Sequence, residues 1–231
     1  VDVFLVHANI QGILGGGLSL YFVANLDDCG SNAAACLQED NDIYTIGFRQ
    51  AGQLFGVDYR GEYYHQSGEA NQDAAGLTTG GTAVGLGVDR DAYMFGVRIG
   101  KTFKNVSMKP SLTVWYDYLS GTEDSDLTQS NAKFSSFNTL FDTGHKFYGF
   151  MDLYLGVGGG GAGNGTAGLG LQDLAVKTKL HPMPGWTLKA DFHWFWVAEG
   201  VQGNPARGLS GTGSNPLSGN LNSGNDNALG N

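Results

Sequence analysis

Charged side chains recur at alternate positions along this chain. Arg49, Arg60, Arg98, Lys109, Lys177, Lys179 and Lys189 share one parity with Asp58, Glu62, Asp117, Asp173, Asp191 and His193 when each run is read as an extended strand. A wall of Arg and Lys attracts carboxylates, and a planar guanidinium can pair with them in bidentate fashion. A passage built this way must still release what it holds. The competing reading is that these charges pair across neighbouring strands and only keep a wet surface satisfied. Seven cations against five carboxylates leave the set mildly positive, although the whole chain carries −9.

Catalysis finds little footing. His7, His65, His145, His181 and His193 are scattered, with no local Ser/His/Asp or Cys/His motif. His193 beside Asp191 fits wall lining better than a catalytic pair. A G-x-G-x-x-G pattern at 158–163 does not stand between a strand and a helix, nor is it followed at the right distance by an acid. No cofactor, no metal site and no catalytic residue are expected. Cys29 and Cys36, with six residues between them in a polar loop without a neighbouring His, read as a local disulfide in an oxidising compartment. The acidic balance argues against nucleic acid.

The elements that must position these charges are strands. Period-2 alternation marks eight of them, at residues 1–8, 18–26, 43–51, 54–66, 92–103, 108–119, 171–180 and 186–198. Turns are expected at 9–17, 52–53, 104–107 and 181–185, and long polar connections at 27–42, 67–91 and 120–170. Short and long connections therefore alternate. A soluble sandwich has no reason to keep that alternation, whereas an outer-membrane barrel has short periplasmic turns and long outer loops. No apolar run reaches the ~18 residues of a membrane helix, but the strands match the ~9–11 residues of a tilted crossing. Tyr44, Tyr63, Tyr93, Tyr118, Trp186, Trp194 and Trp196 fall near strand ends, as headgroup-level girdles require.

The direction of the strands then constrains residues 120–170. Both the strand before this segment and the strand after it adjoin a short turn, so the segment starts and ends on the outer side. Its apolar part cannot be a lone membrane crossing. It is expected to fold inward as a constriction over 136–158, with His145, Lys146 and Asp152 near the channel axis; a pair of added strands is the alternative. The remaining acids, among them Asp27, Asp28, Glu39, Asp40, Asp42, Glu123, Asp124 and Asp126, lie in the loops, which either stay solvated or bind divalent ions and lipopolysaccharide. Glu39-Asp40-Asn41-Asp42 lacks the spacing of an EF-hand.

One stretch is more specific than any periodicity. Phe137-Asn138-Thr139-Leu140-Phe141-Asp142-Thr143-Gly144-His145-Lys146-Phe147-Tyr148-Gly149-Phe150-Met151-Asp152 resembles the characteristic stretch of the alginate-export family of outer-membrane porins. Tyr116 to Asp124 before it, Gly170-Leu171-Gln172-Asp173-Leu174 after it and the ending Ala228-Leu229-Gly230-Asn231 agree. The resemblance covers most of the chain from Ile43 onward. It implies a monomeric barrel with more strands than eight and a lumen that passes an anionic polysaccharide.

The expected fold is thus all-β: an antiparallel transmembrane barrel of outer-membrane type, one domain over 1–231, about eight strands of a larger barrel, incomplete at both ends. The expected function is passive passage of hydrophilic, anionic solutes or polysaccharide. Lipid, lipopolysaccharide and the anionic cargo are its partners. A general small-solute porin, an outer-membrane hydrolase and an adhesive surface protein are the alternatives.

Overall fold

The computed structural model describes residues 2–26, 42–70, 78–79, 82–83, 88–122, 133–140 and 169–199. Eight long strands form one antiparallel meander: β1 (Asp2–Ile13), β2 (Gly16–Leu26), β3 (Ile43–Leu54), β4 (Val57–Ala70), β7 (Val88–Thr102), β8 (Ser111–Leu119), β10 (Leu171–Leu180) and β11 (Leu188–Trp196). Three two-residue strands accompany them. β5 (Thr78–Thr79) pairs β6 (Thr82–Ala83), and β9 (Lys133–Phe134) lies parallel to β7. Every expected strand is present, and the described residues contain no helix. Closure is not seen: the sheet is open, with β1 and β11 as its edges among the described residues.

Several boundaries differ from the sequence reading, for local reasons. The reversal between β1 and β2 needs only Leu14 and Gly15, whose φ values of 49° and 70° make a tight hairpin turn with both central residues left-handed. The chain does not turn at 52–53. It runs extended to Leu54 and reverses at Phe55-Gly56, with φ of 53° and 73°. Gly52 serves a different purpose, because it pairs with Gly16 where β2 and β3 approach closely. β7 begins at Val88, which brings Arg90 out of the expected loop and onto a strand. β8 begins only at Ser111. Met108 and Lys109 have φ of 62° and 43°, and Pro110 follows, so Lys109 sits in the turn and not on the strand wall. Trp186 also lies in a turn, with its N–H donating to the Met183 carbonyl.

Pairing register sorts the side chains onto two faces. Phe22, Ile46, Val97, Ile99, Val114 and Phe192 share a face that is apolar and exposed. On it, rings run from strand to strand: Phe48 to Tyr63, Tyr63 to Tyr93, Tyr93 to Tyr118, and Tyr118 to Phe95, with centroids 5.3–6.4 Å apart. Offset rings at such spacing stabilise cross-strand pairs. The opposite face carries the charges. At its long-loop end, Ala92, Leu119, Phe137, Leu169, Leu171 and Val197 form a buried cluster.

A Cβ on Gly16 would run into the Ala51 carbonyl and the Gly52 backbone. Gly16→Ala is therefore expected to part β2 from β3 locally at a cost of about 1–3 kcal/mol. The measurement is a lowered urea midpoint for unfolding in detergent; an unchanged midpoint would show that this close approach carries no stability.

Candidate functional site

Two adjacent rungs of the polar face hold most of its charge. Across the sheet, one rung aligns Arg49, Glu62, Gly96, Asp117 and Asp173. The next aligns Arg60, Arg98, Trp115, Ala175 and His193. A rung of carboxylates thus lies against a rung of cations and a Trp. Arg60 Nη2 pairs with Glu62 at 2.6 Å, and Arg98 Nη2 with Asp117 at 3.3 Å and with Glu62 at 3.8 Å. His193 Nδ1 lies 2.9 Å from Asp173 Oδ2, to which Trp115 Nε1 donates at 3.0 Å. The Trp115 ring is also covered by Arg98, 4.1 Å from its centroid, and by Lys177 at 3.7 Å.

Burial decides what this arrangement contributes. The side chains of Glu62, Asp117 and Asp173 are 4%, 1% and 0% exposed, so each carboxylate needs a partner within reach. Asp117 and Asp173 stand directly opposite each other, and only the intervening cations and the indole N–H make that juxtaposition tolerable. Gly96 makes room for it. A Cβ there would meet Asp117 Oδ1 at 2.6 Å and the Glu62 side chain at 3.2 Å. Gly47 plays the matching part for Tyr64, whose ring lies over it.

The other expected wall residues take separate positions. Asp58 accepts a hydrogen bond from Gln53 Nε2 at 2.8 Å, and Lys177 Nζ pairs with Asp191 at 3.1 Å. Lys179 and Lys189 oppose each other on the last rung before the short turn. Arg49 lies across from Glu62 and forms no ion pair among the described residues. Lys109 is outside the wall, in the turn. His145, Lys146 and Asp152, together with Cys29 and Cys36, lie outside the described residues.

Part of the long connection after β8 folds back over this face. Gln66 is fully buried and grips the Asn138 backbone twice, donating from Nε2 to its carbonyl at 2.7 Å and accepting its N–H on Oε1 at 2.8 Å. Arg90 donates to the Ser136 carbonyl at 3.2 Å with its guanidinium over the Phe134 ring. Ser120 Oγ donates to the Ser135 carbonyl, and the Ser135 N–H donates to Thr122 Oγ1. Phe137 to Leu140 then roof a cavity of about 370 Å³, whose floor includes Arg60, Glu62, Tyr64, Arg98 and Asp117. β8 pairs directly with β10 over nine residues, so no strand is inserted between them. The expectation that the connection returns to the side it left is consistent with that pairing.

The sequence profile of the alginate export family matches residues 6–227. The chain belongs to the alginate export family. Curated proteins and solved structures give no match. The family is one of outer-membrane export. In this member of it, sequence reasoning missed Trp115, Gln66 and Arg90. Trp115 carried a visible signal, an aromatic ring at the parity of the charges. Gln66 and Arg90 carried none, since their partners are backbone groups 72 and 46 residues away.

Two substitutions test this construction. Gln66→Leu leaves the Asn138 N–H and carbonyl without their partner, at a cost of about 1–3 kcal/mol. Amide exchange across 133–140 is expected to accelerate accordingly, and unchanged exchange would mean that the latch does not hold the segment. Gly96→Val drives a side chain into Glu62 and Asp117, so the thermal unfolding midpoint is expected to fall, with about 1–3 kcal/mol lost.

Proposed function

We propose that this protein is a monomeric outer-membrane β-barrel channel for passive passage of hydrophilic, anionic solutes or polysaccharide. The observation that carries the reading is the sorting of the two faces. One is apolar, exposed and ringed by stacked aromatics, which suits contact with lipid. The other is lined by cross-strand ion pairs, which suits a wetted lumen. Hydrocarbon tolerates no free sheet edge, so the reading entails that neither β1 nor β11 keeps an unpaired edge in the assembled channel. Membership of the alginate export family supports polysaccharide as the cargo class.

In this mechanism the net positive margin of the wall attracts carboxylates without holding them, because conduction needs exit as well as entry. Residues 133–140, held against the wall by Gln66 and Arg90, narrow the lumen and set which cargo fits. Lipid and lipopolysaccharide surround the barrel. No residue is assigned a catalytic role.

The full-length protein, inserted in planar bilayers, is expected to give stepwise single-channel conductance. A soluble polyuronate should block that current in a concentration-dependent way, and neutral dextran of similar length should do so less. Absence of conductance would sink the channel reading. Equal block by both polymers would sink the anionic cargo and leave a general porin.

A further inference from the structure

The charges on the wall are unevenly balanced along the channel axis. In the two central rungs, Arg49, Arg60 and Arg98 face Glu62, Asp117 and Asp173, three against three. On the next rung towards the short turns, Lys177 stands with Asp58 and Asp191. Arg90, at the far end, is 3% exposed beneath the folded-back segment. On the polar face of these strands five cations therefore balance five carboxylates in number, with Arg60, Arg98 and Lys177 in direct ion pairs and Arg49 across from Glu62 without one among the described residues. The positive margin of the wall resides in Lys179 and Lys189 alone.

Their setting differs from that of the arginines. Arg60 and Arg98 have side chains 23% and 14% exposed and are committed to carboxylates. A compensated cation at such a position offers little field to a passing solute, because its partner cancels it within a few ångströms. Lys179 and Lys189 oppose each other in register, an arrangement that costs stability between like charges. Neither forms an ion pair or side-chain hydrogen bond with any described residue. Their neighbours Leu180 and Leu188 point to the apolar face, so the two ammonium groups belong to the polar side and not to the lipid side. Exposed Lys109 adjoins them in the neighbouring turn. The opposite end of the sheet carries Asp42, Glu69, Asp89 and Asp91 together with Arg90 and Lys133, and Asp91 pairs with Lys133 at 3.6 Å.

We infer that Lys179 and Lys189 form an anion-capture site at the short-turn mouth, and that they, not the arginines of the central rungs, set the charge selectivity of the channel. The ligand class is a flexible carboxylated chain or a small carboxylate. Two opposed ammonium groups hold such a ligand as point charges, loosely enough for release. The field of the two lysines then gathers anions at the short-turn mouth. This inference rests on the channel reading.

The test uses full-length protein in planar bilayers under a KCl gradient, with the zero-current potential as readout. The unmodified channel is expected to prefer chloride. Lys179→Gln with Lys189→Gln should bring the anion-to-cation permeability ratio to parity, and Lys179→Glu with Lys189→Glu should invert it. Lys179→Arg with Lys189→Arg should keep it. The charge-conserving pair Arg60→Gln and Glu62→Gln should also keep it. The inference is overturned by a cation-preferring unmodified channel, by a lysine-to-glutamine doublet that retains the preference, or by loss of preference in the Arg60/Glu62 pair alone. Absence of current in the unmodified protein would instead remove the channel reading beneath it.

Discussion

Three buried carboxylates on one face of a sheet are the constraint to which the rest of this protein conforms. Glu62, Asp117 and Asp173 sit on one rung, nearly free of solvent. Each is stabilised by a group on the rung beside it, Arg60, Arg98, Trp115 or His193. Removing any one partner would leave a buried charge exposed to its like-charged neighbours, which is far more costly than the loss of a surface pair. The arrangement therefore acts on register. A slip of one residue between β7 and β8 would send Asp117, the partner of Arg98, to the apolar face.

The small residues of the wall follow from the same constraint. Gly96 is vacant where Glu62 and Asp117 lean together, and Gly47 is vacant where the Tyr64 ring lies flat. Glycine in a strand interior weakens it in isolation, so its presence marks places where a neighbour occupies the volume of a side chain. Tyr64 in turn meets Tyr21, and together they continue the wall towards β1 and β2, where its charge gives way to rings and aliphatic groups. The cavity roofed by residues 137–140 spans that change, with ion pairs on one part of its floor and Val3, Leu5 and Val23 on another.

The two faces separate stability from transport. Apolar side chains lie outward and exposed, so the usual drive to bury them within the chain is not satisfied by these residues alone. Lipid would satisfy it, as proposed for the channel. On the polar face, ion pairs tie Arg60, Arg98 and Lys177 to carboxylates, while Lys179 and Lys189 stand without such partners among the described residues. In the proposed channel, structure and selectivity call on different residues of the same strands.

Periodicity of two was enough to determine the number and identity of the long strands, their antiparallel order and the side on which Arg60, Glu62, Arg98 and Asp117 would fall. It was enough because side chains alternate strictly in an extended backbone, whatever the strand pairs with. The Phe137 to Asp152 stretch determined the family. Turn placement was less legible: Gly52 and Gly56 look alike in sequence, and only the backbone distinguishes a left-handed turn residue from a close approach between strands. Which charges pair with which was not legible, since Arg98 meets Asp117 at a sequence separation of 19 and Trp115 meets Asp173 at one of 58. That partition, between what alternates locally and what meets only across strands, resolved a wall read as mildly positive into a ladder of ion pairs with Lys179 and Lys189 opposed near the short turn.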